Sequence, residues 1–248
     1  MLNSGLNAVL TFSDASSVSA SAAQHIVEEL RRKPDVVICA ATGASPLGTY
    51  QELGRVAARN PEVFRSVRLI KLDEWGGLVM DHPATCEFYL RKHLIEPLGI
   101  AEDRYIGFQS NPADPNAECA RVAEAIQRWG AIDVCVLGIG LNGHLGLNEP
   151  APALTPDCHV AELSEVTKGH GMLAANGAAP RYGMTLGIGD ILRSRKIILI
   201  ALGAAKREPI MRMWSQGVTT DFPASFLRLH PNTLVYTDAA ASCGESNS

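Results

Sequence analysis

Short apolar runs separated by longer amphipathic ones predict an α/β fold: a three-layer, largely parallel open sheet with helices on both faces, in a single domain. Three observations carry this. The runs 36–41, 67–72, 132–137 and 196–202 are short and mainly apolar, and 36–41 reads as a strand buried on both faces. Between them lie segments with apolar residues at helical spacing. No linker or internal repeat divides the chain, since the two Leu-Gly-Ile-Gly tetrapeptides at 137–140 and 186–189 have unlike flanks. The expected domain is 1–238, followed by a small, polar, disordered tail at 239–248.

The elements follow in order. Ala20, Ala23, Ile26, Val27 and Leu30 share one helical face and predict a helix over 16–32, broken by Pro34 and Asp35. Strand 36–41 turns at 42–45. Ser45 suits an N-cap and Pro46 a first helical position, so a helix runs to about Arg59. Strand 67–72 ends in Asp73, Glu74 and Trp75, expected as a loop. A helix from Pro83 to about Ile95 stops at Pro97 and Gly99. Another, capped by Asp114, covers 115–129. After strand 132–137 comes a glycine-rich loop, then a poorly patterned stretch over 150–182. Strands are expected at 184–188, 196–202 and 233–237, with a helix from Ala204 to about Trp214. This alternation is Rossmann-like.

Composition narrows the function. The chain has 248 residues, 46% of them hydrophobic and 19% charged, ordinary for a globular protein able to bury a sizeable core. A net charge of −4 argues against general nucleic-acid binding, which needs a basic face. No apolar run approaches the ~20 residues of a membrane span, and no secretory signal is visible. The six cysteines lack C-x-x-C spacing and read as free thiols of a cytoplasmic protein.

The most informative stretch is Gly138-Ile-Gly-Leu-Asn-Gly-His-Leu-Gly-Leu-Asn-Glu-Pro150. It contains the letters of a dinucleotide fingerprint at Gly138, Gly140 and Gly143. That fingerprint needs a helix at its third glycine, and Gly146 and Pro150 interrupt one. No acid ends a second strand about twenty residues on, where the chain is loop-like around Glu162. Instead, His144 and Glu149 place proton-transfer groups on a loosened loop at a strand end.

Three other strand ends carry chemistry. Thr42, Gly43, Ala44 and Ser45 form a small-residue turn into a helix N-terminus, which suits an anion. Lys206 stands at another helix start, where its charge opposes the dipole unless an anion lies between. Asp73 ends an apolar strand, where partial burial makes a carboxylate more basic. In an open α/β sheet such ends meet over one crevice. No His-Glu-x-x-His, Gly-x-Ser-x-Gly or Walker signature occurs. Metal-free acid–base chemistry on an anionic substrate remains.

The chain resembles the glucosamine-6-phosphate deaminase/isomerase family. The matching stretches are 41–50, Leu72-Asp-Glu-Trp75, 138–150, Thr185-Leu-Gly-Ile-Gly189, Gly203-Ala-Ala-Lys206 and 223–230, in family order. Trp75, the stretch Thr85-Cys-Glu87, the loop 143–150 and Pro223-Ala-Ser-Phe-Leu227 are most similar to the galactosamine-6-phosphate branch. The resemblance implies conversion of an amino-sugar 6-phosphate to a ketohexose 6-phosphate and ammonia, without cofactor or metal. For the galacto epimer the product is tagatose 6-phosphate; for the gluco epimer it is fructose 6-phosphate. It further implies that His144 assists ring opening with Glu149 orienting it, and that Asp73 moves a proton from C2 to C1. The phosphate is expected on Thr42–Ser45 with Lys206.

Two departures stand out. Asn142 occupies a position where some members carry aspartate, which throws the tuning of His144 onto Glu149. The arginine that holds phosphate in some members has no match near 167–173, leaving Lys168, His170 or Arg181 as substitutes. The runner-up enzyme is a 6-phosphogluconolactonase, disfavoured by Asn148-Glu149-Pro150. A non-catalytic sugar-phosphate sensor would have been free to lose Asp73 or His144. Whether the chain forms a homo-oligomer is left open.

Overall fold

The computed structural model describes residues 8–169 and 171–242. In chain order the main elements are β1 (Ala8–Phe12), α1 (Ala15–Arg32), β2 (Val37–Ala40), α2 (Ala44–Arg59), β3 (Arg68–Lys71), β4 (Asp73–Gly76) and α3 (Cys86–Leu90). A π-helical stretch, Arg91–Ile95, carries α3 into α4 (Glu96–Leu98). Then come β5 (Tyr105–Ile106), α5 (Pro115–Trp129), β6 (Val134–Leu137), β7 (His159–Ala161), α6 (Glu165–Lys168), α7 (Gly171–Ala175) and β8 (Tyr182–Thr185). The chain continues with α8 (Ile188–Leu192), β9 (Lys196–Ala201), α9 (Arg207–Ser215) and β10 (Thr233–Asp238).

Seven strands form one parallel sheet in the order β1-β10-β9-β6-β2-β3-β5. The central strands β2 and β6 are buried at every position, whereas edge strand β1 alternates. Successive residues therefore feed opposite cores. Cys39, Ile70, Cys135 and Leu199 pack against α5, α8 and α9; Ile38, Leu69, Val134 and Ile198 pack against α1, α2 and α3. This is the expected three-layer α/β arrangement, and the burial of two apolar faces is what holds it.

Five expectations change. Asp73, Glu74 and Trp75 are not a loop. They form β4, which leaves the main sheet at Leu72 and pairs antiparallel with β8; β8 pairs in turn with β7. Strand 184–188 is therefore not in the main sheet, and Ile188 opens α8, because the Gly187 N–H is satisfied by Asp190 Oδ2 at 3.0 Å. Ser45 is not a cap: α2 begins at Ala44 with Gly43 as N-cap. Strands β1, β5 and β7 add to the predicted set. Four residues of the expected tail, 239–242, close a turn in which the Ala241 N–H donates to Asp238 Oδ1 at 2.8 Å. The rest of that tail, 243–248, lies outside the described residues. Among the described residues no helix is long and apolar enough to cross a membrane.

Candidate active site

From β2 the chain moves outward to β3 and β5, then returns to the other side of β2 as β6 and proceeds to β9 and β10. The connections after β2 and β6 thus diverge, opening a crevice beyond their carboxyl ends. A cavity of about 430 Å³ lies there. Its lining includes Thr42, Gly43, Ala44 and Ser45 after β2, Asp73 after β3, His144 after β6 and Lys206 after β9. Those predicted residues, more than a hundred positions apart at the extremes, share one space. Asn142 and Glu149 are not part of the lining. They stand behind His144.

Asp73 is 9% exposed. Burial, reinforced by the neighbouring Glu74 carboxylate, pushes its pKa up to about 7, against the opposing pull of Cys86 and Lys71. A carboxyl titrating near neutrality can both take and return a proton.

Behind this residue lies a buried ionic cluster that the sequence reading did not identify. Lys71 is 0% exposed. Its Nζ donates to Glu74 Oε2 at 2.7 Å, Glu87 Oε2 at 2.7 Å and the Phe108 carbonyl at 2.8 Å. Glu74 in turn accepts the backbone N–H groups of Trp75, Cys86 and Glu87, each at 2.8 Å. The cluster ties β4 to the first turn of α3.

The histidine is held by a chain of hydrogen bonds. Glu149 Oε2 accepts from Asn142 Nδ2 at 2.8 Å, which turns the Asn142 carbonyl toward the ring. Asn142 Oδ1 lies 2.7 Å from His144 Nδ1 and 3.2 Å from the His144 backbone N–H. A carboxylate only accepts, so it orients the amide; the amide oxygen only accepts, so it places the ring proton on Nδ1. Asn142, an amide, orients the ring, and the negative charge near it comes from Glu149, whose Oε2 stands 3.7 Å from Nδ1. Gly140 makes room for the ring, since a Cβ there would sit 2.3 Å from it. Glu149 Oε1 also accepts from Ser164 Oγ at 3.0 Å and from Thr167 Oγ1, anchoring α6 over the cavity.

Another part of the cavity wall suits an anion. Gly43 has φ +106°, a conformation L side chains avoid, and offers no side chain to cap α2. Ala44 and Ser45, in the first turn of α2, line the cavity, so the positive end of the helix lies at its wall. Lys206 Nζ donates to the Ile139 carbonyl at 2.6 Å, and burial lowers its pKa. No acidic side chain pairs with it among the described residues. Of the substitutes for the missing arginine, Lys168 pairs with Glu165 and Arg181 with Asn111; neither lines the cavity. His170 lies outside the described residues. Thr167, Gly169 and Gly171 line that wall instead. Cys86 and Thr167 are the site residues that sequence reasoning missed. Neither sits at a strand end, and only the packing of α3 and α6 brings them in.

No helix opens after Gly143, where the chain forms turns and a short bridge between Leu145 and Asn148, so the dinucleotide fingerprint is not realised. A model of the family described as glucosamine-6-phosphate isomerases/6-phosphogluconolactonase matches residues 13–236. The chain is 42% identical to a protein of Escherichia coli (strain K12) named "Putative deaminase AgaI", over 88% of this chain and 86% of that one. It is 38% identical to a glucosamine-6-phosphate deaminase of Geobacillus sp. (strain WCH70), over 90% of both. It superposes on the solved structure of a monomeric glucosamine-6-phosphate deaminase with a TM-score of 0.87 and 32% identity, covering 94% of this chain and 98% of the other.

Proposed function

The chain belongs to the glucosamine-6-phosphate isomerase/6-phosphogluconolactonase family, and on that premise we propose that it deaminates and isomerises an amino-sugar 6-phosphate, galactosamine 6-phosphate in the first instance. One observation carries the reading: Asp73, His144, Lys206 and the uncapped start of α2 line a single cavity. An acid–base pair together with a lysine and a helix start in the same cavity match a phosphorylated sugar.

With its proton on Nδ1, His144 has Nε2 as its basic nitrogen. Nε2 takes the proton of the anomeric hydroxyl and returns it to the ring oxygen as the C1–O5 bond breaks. Asp73 then removes the proton from C2 of the open-chain aldehyde as O1 takes up a proton, giving an enolamine, and delivers it to C1 as the nitrogen releases one, leaving an imine at C2. Water adds to the imine and ammonia departs, giving a ketose 6-phosphate. Glu149 and Asn142 keep the histidine in the required tautomer. Ala44, Ser45, Thr42 and Lys206 hold the phosphate.

The galacto epimer is favoured by the resemblance carried by Trp75, Thr85, Cys86, Glu87 and the stretch from Pro223. The two glucosamine-6-phosphate deaminases compared above share 38% and 32% identity with this chain, against 42% for AgaI. The test is ammonia release from galactosamine 6-phosphate and glucosamine 6-phosphate, compared as kcat/KM. A ratio of tenfold or more toward galacto, about 1.4 kcal/mol of discrimination, is expected. The reverse ratio rejects the epimer and keeps the deaminase. Ammonia from neither rejects the deaminase.

Two consequences can be measured with the same assay. Only ionised Asp73 can accept the C2 proton, and burial holds its pKa at about 7. kcat/KM should therefore rise tenfold per pH unit below about 7 and level off above it, after correction for the substrate's own ionisations. A profile flat across that range overturns the assignment of the base. His144→Gln should lower turnover of the cyclic substrate by ~10²-fold or more and that of an open-chain analogue far less. Equal losses on both would remove ring opening from its role.

A further inference from the structure

The proposed base has one side-chain hydrogen-bond partner among the described residues, and it is a thiol. Cys86 Sγ donates to Asp73 Oδ1 at 3.8 Å, and it stands 3.5 Å from Thr42 Oγ1 on the anion-binding loop. Cys86 is 1% exposed. Its backbone has little freedom. Thr85 caps α3, its Oγ1 accepting from the Phe88 N–H at 3.1 Å. The N–H groups of Cys86 and Glu87 both end on Glu74, the residue directly after Asp73. The Lys71 ammonium locks that carboxylate from the other side. Base and thiol are thus held on one rigid frame. Cys39 and Cys135 differ from Cys86 in sitting inside the apolar core between β2 and β6.

We propose that Cys86 is a positioning residue for the reaction: its thiol holds Asp73 Oδ1 in the orientation that reaches the substrate's C2 and ties the base to Thr42 beside the phosphate. A thiol suits this task because it is a weak donor. It orients the carboxylate while taking little of its basicity, whereas a hydroxyl would stabilise the anion more and make it a poorer base. The proposal rests on the deaminase reading and deepens it.

The test compares wild type, Cys86→Ser and Cys86→Ala, which keep and remove the donor at nearly equal side-chain size. Ammonia release is followed as a function of pH, with melting temperatures measured in parallel. In Cys86→Ala the acid inflection of kcat/KM should rise by about half a pH unit, and in Cys86→Ser it should fall by a similar amount. kcat of the alanine variant should drop about tenfold as the base loses its orientation, while KM stays close to wild type. A common inflection in all three enzymes, with activity losses that follow the melting temperatures, overturns the proposal and leaves Cys86 as packing. If Cys86→Ala does not fold, Cys86→Ser decides alone: a lowered inflection supports the proposal and an unchanged one rejects it. Asp73→Asn, assayed alongside, separates the two levels, since its full activity would reject the base itself whatever the Cys86 variants do.

Discussion

Asp73→Asn is expected to release ammonia ~10²–10⁴-fold more slowly than wild type while still binding the sugar phosphate. The amide keeps the shape of the carboxyl and leaves Ala44, Ser45 and the Lys206 ammonium, which line the same cavity, unchanged. What it loses is the ability to accept a proton. The same substitution should make the protein more stable, and the sign follows from linkage. The folded-state pKa of about 7 stands above the ordinary value of 3.8, so ionisation of Asp73 works against folding. Wild-type stability from this group is present at low pH and lost as pH rises through that interval. The variant has no such loss. It should gain on the order of 2–4 kcal/mol over wild type at about pH 8, a gap that closes near pH 4. Denaturant melts at the two pH values measure it. Undiminished ammonia release would remove Asp73 from the chemistry, and an unchanged stability gap would mean that its carboxyl is solvated as an ordinary one.

The second large effect is structural. Lys71→Met should cost about 3–5 kcal/mol, because it strands the Glu74 and Glu87 carboxylates together in the interior. Glu87 is 3% exposed and Glu74 is 0% exposed. For a domain of this size the melting temperature should fall by roughly 6–20 °C. Burial pushes Glu87 up, but Lys71, Tyr105 and Arg91 outweigh it, and the carboxyl sits below its ordinary value. Its stabilising contribution is therefore present above the ordinary glutamate pKa of 4.5 and fades as pH falls. The deficit of Lys71→Met should shrink in acid, where protonated carboxyls no longer need the ammonium. Scanning calorimetry across pH checks this. A deficit independent of pH would point to lost packing and not to unpaired charge. Activity should fall with stability, since Glu74 also carries the amides that place Cys86 beside Asp73.

The frame of this molecule was legible in the chain. Buried parallel strands write themselves as short, mainly apolar runs, and β2, β3, β6 and β9 were each visible for that reason. Where a strand is short, at an edge or pointed away from the main core, that signal fails. β5 has two residues, β1 alternates in burial, and β7 falls in a stretch without pattern. β4 was misread because Asp73 and Glu74 look like a polar loop. Glu74 is buried only because Lys71 and the α3 amides meet its charge, and those partners lie up to 13 residues away.

The candidate site divides along the same line. Local sequence determined which strand ends carry reactive groups: a glycine-loosened histidine, a carboxylate closing an apolar run, a small-residue turn entering a helix and a lysine at a helix start. The β2/β6 divergence is a property of the whole sheet, and it alone decided that those four ends open on one cavity. Packing also decided the finer chemistry. Asn142 stands between Glu149 and His144, and a thiol from α3 reaches the aspartate. Spacing along a chain records which groups are near one another within a turn or a strand. Dielectric burial and contacts between distant elements exist only once the layers have closed.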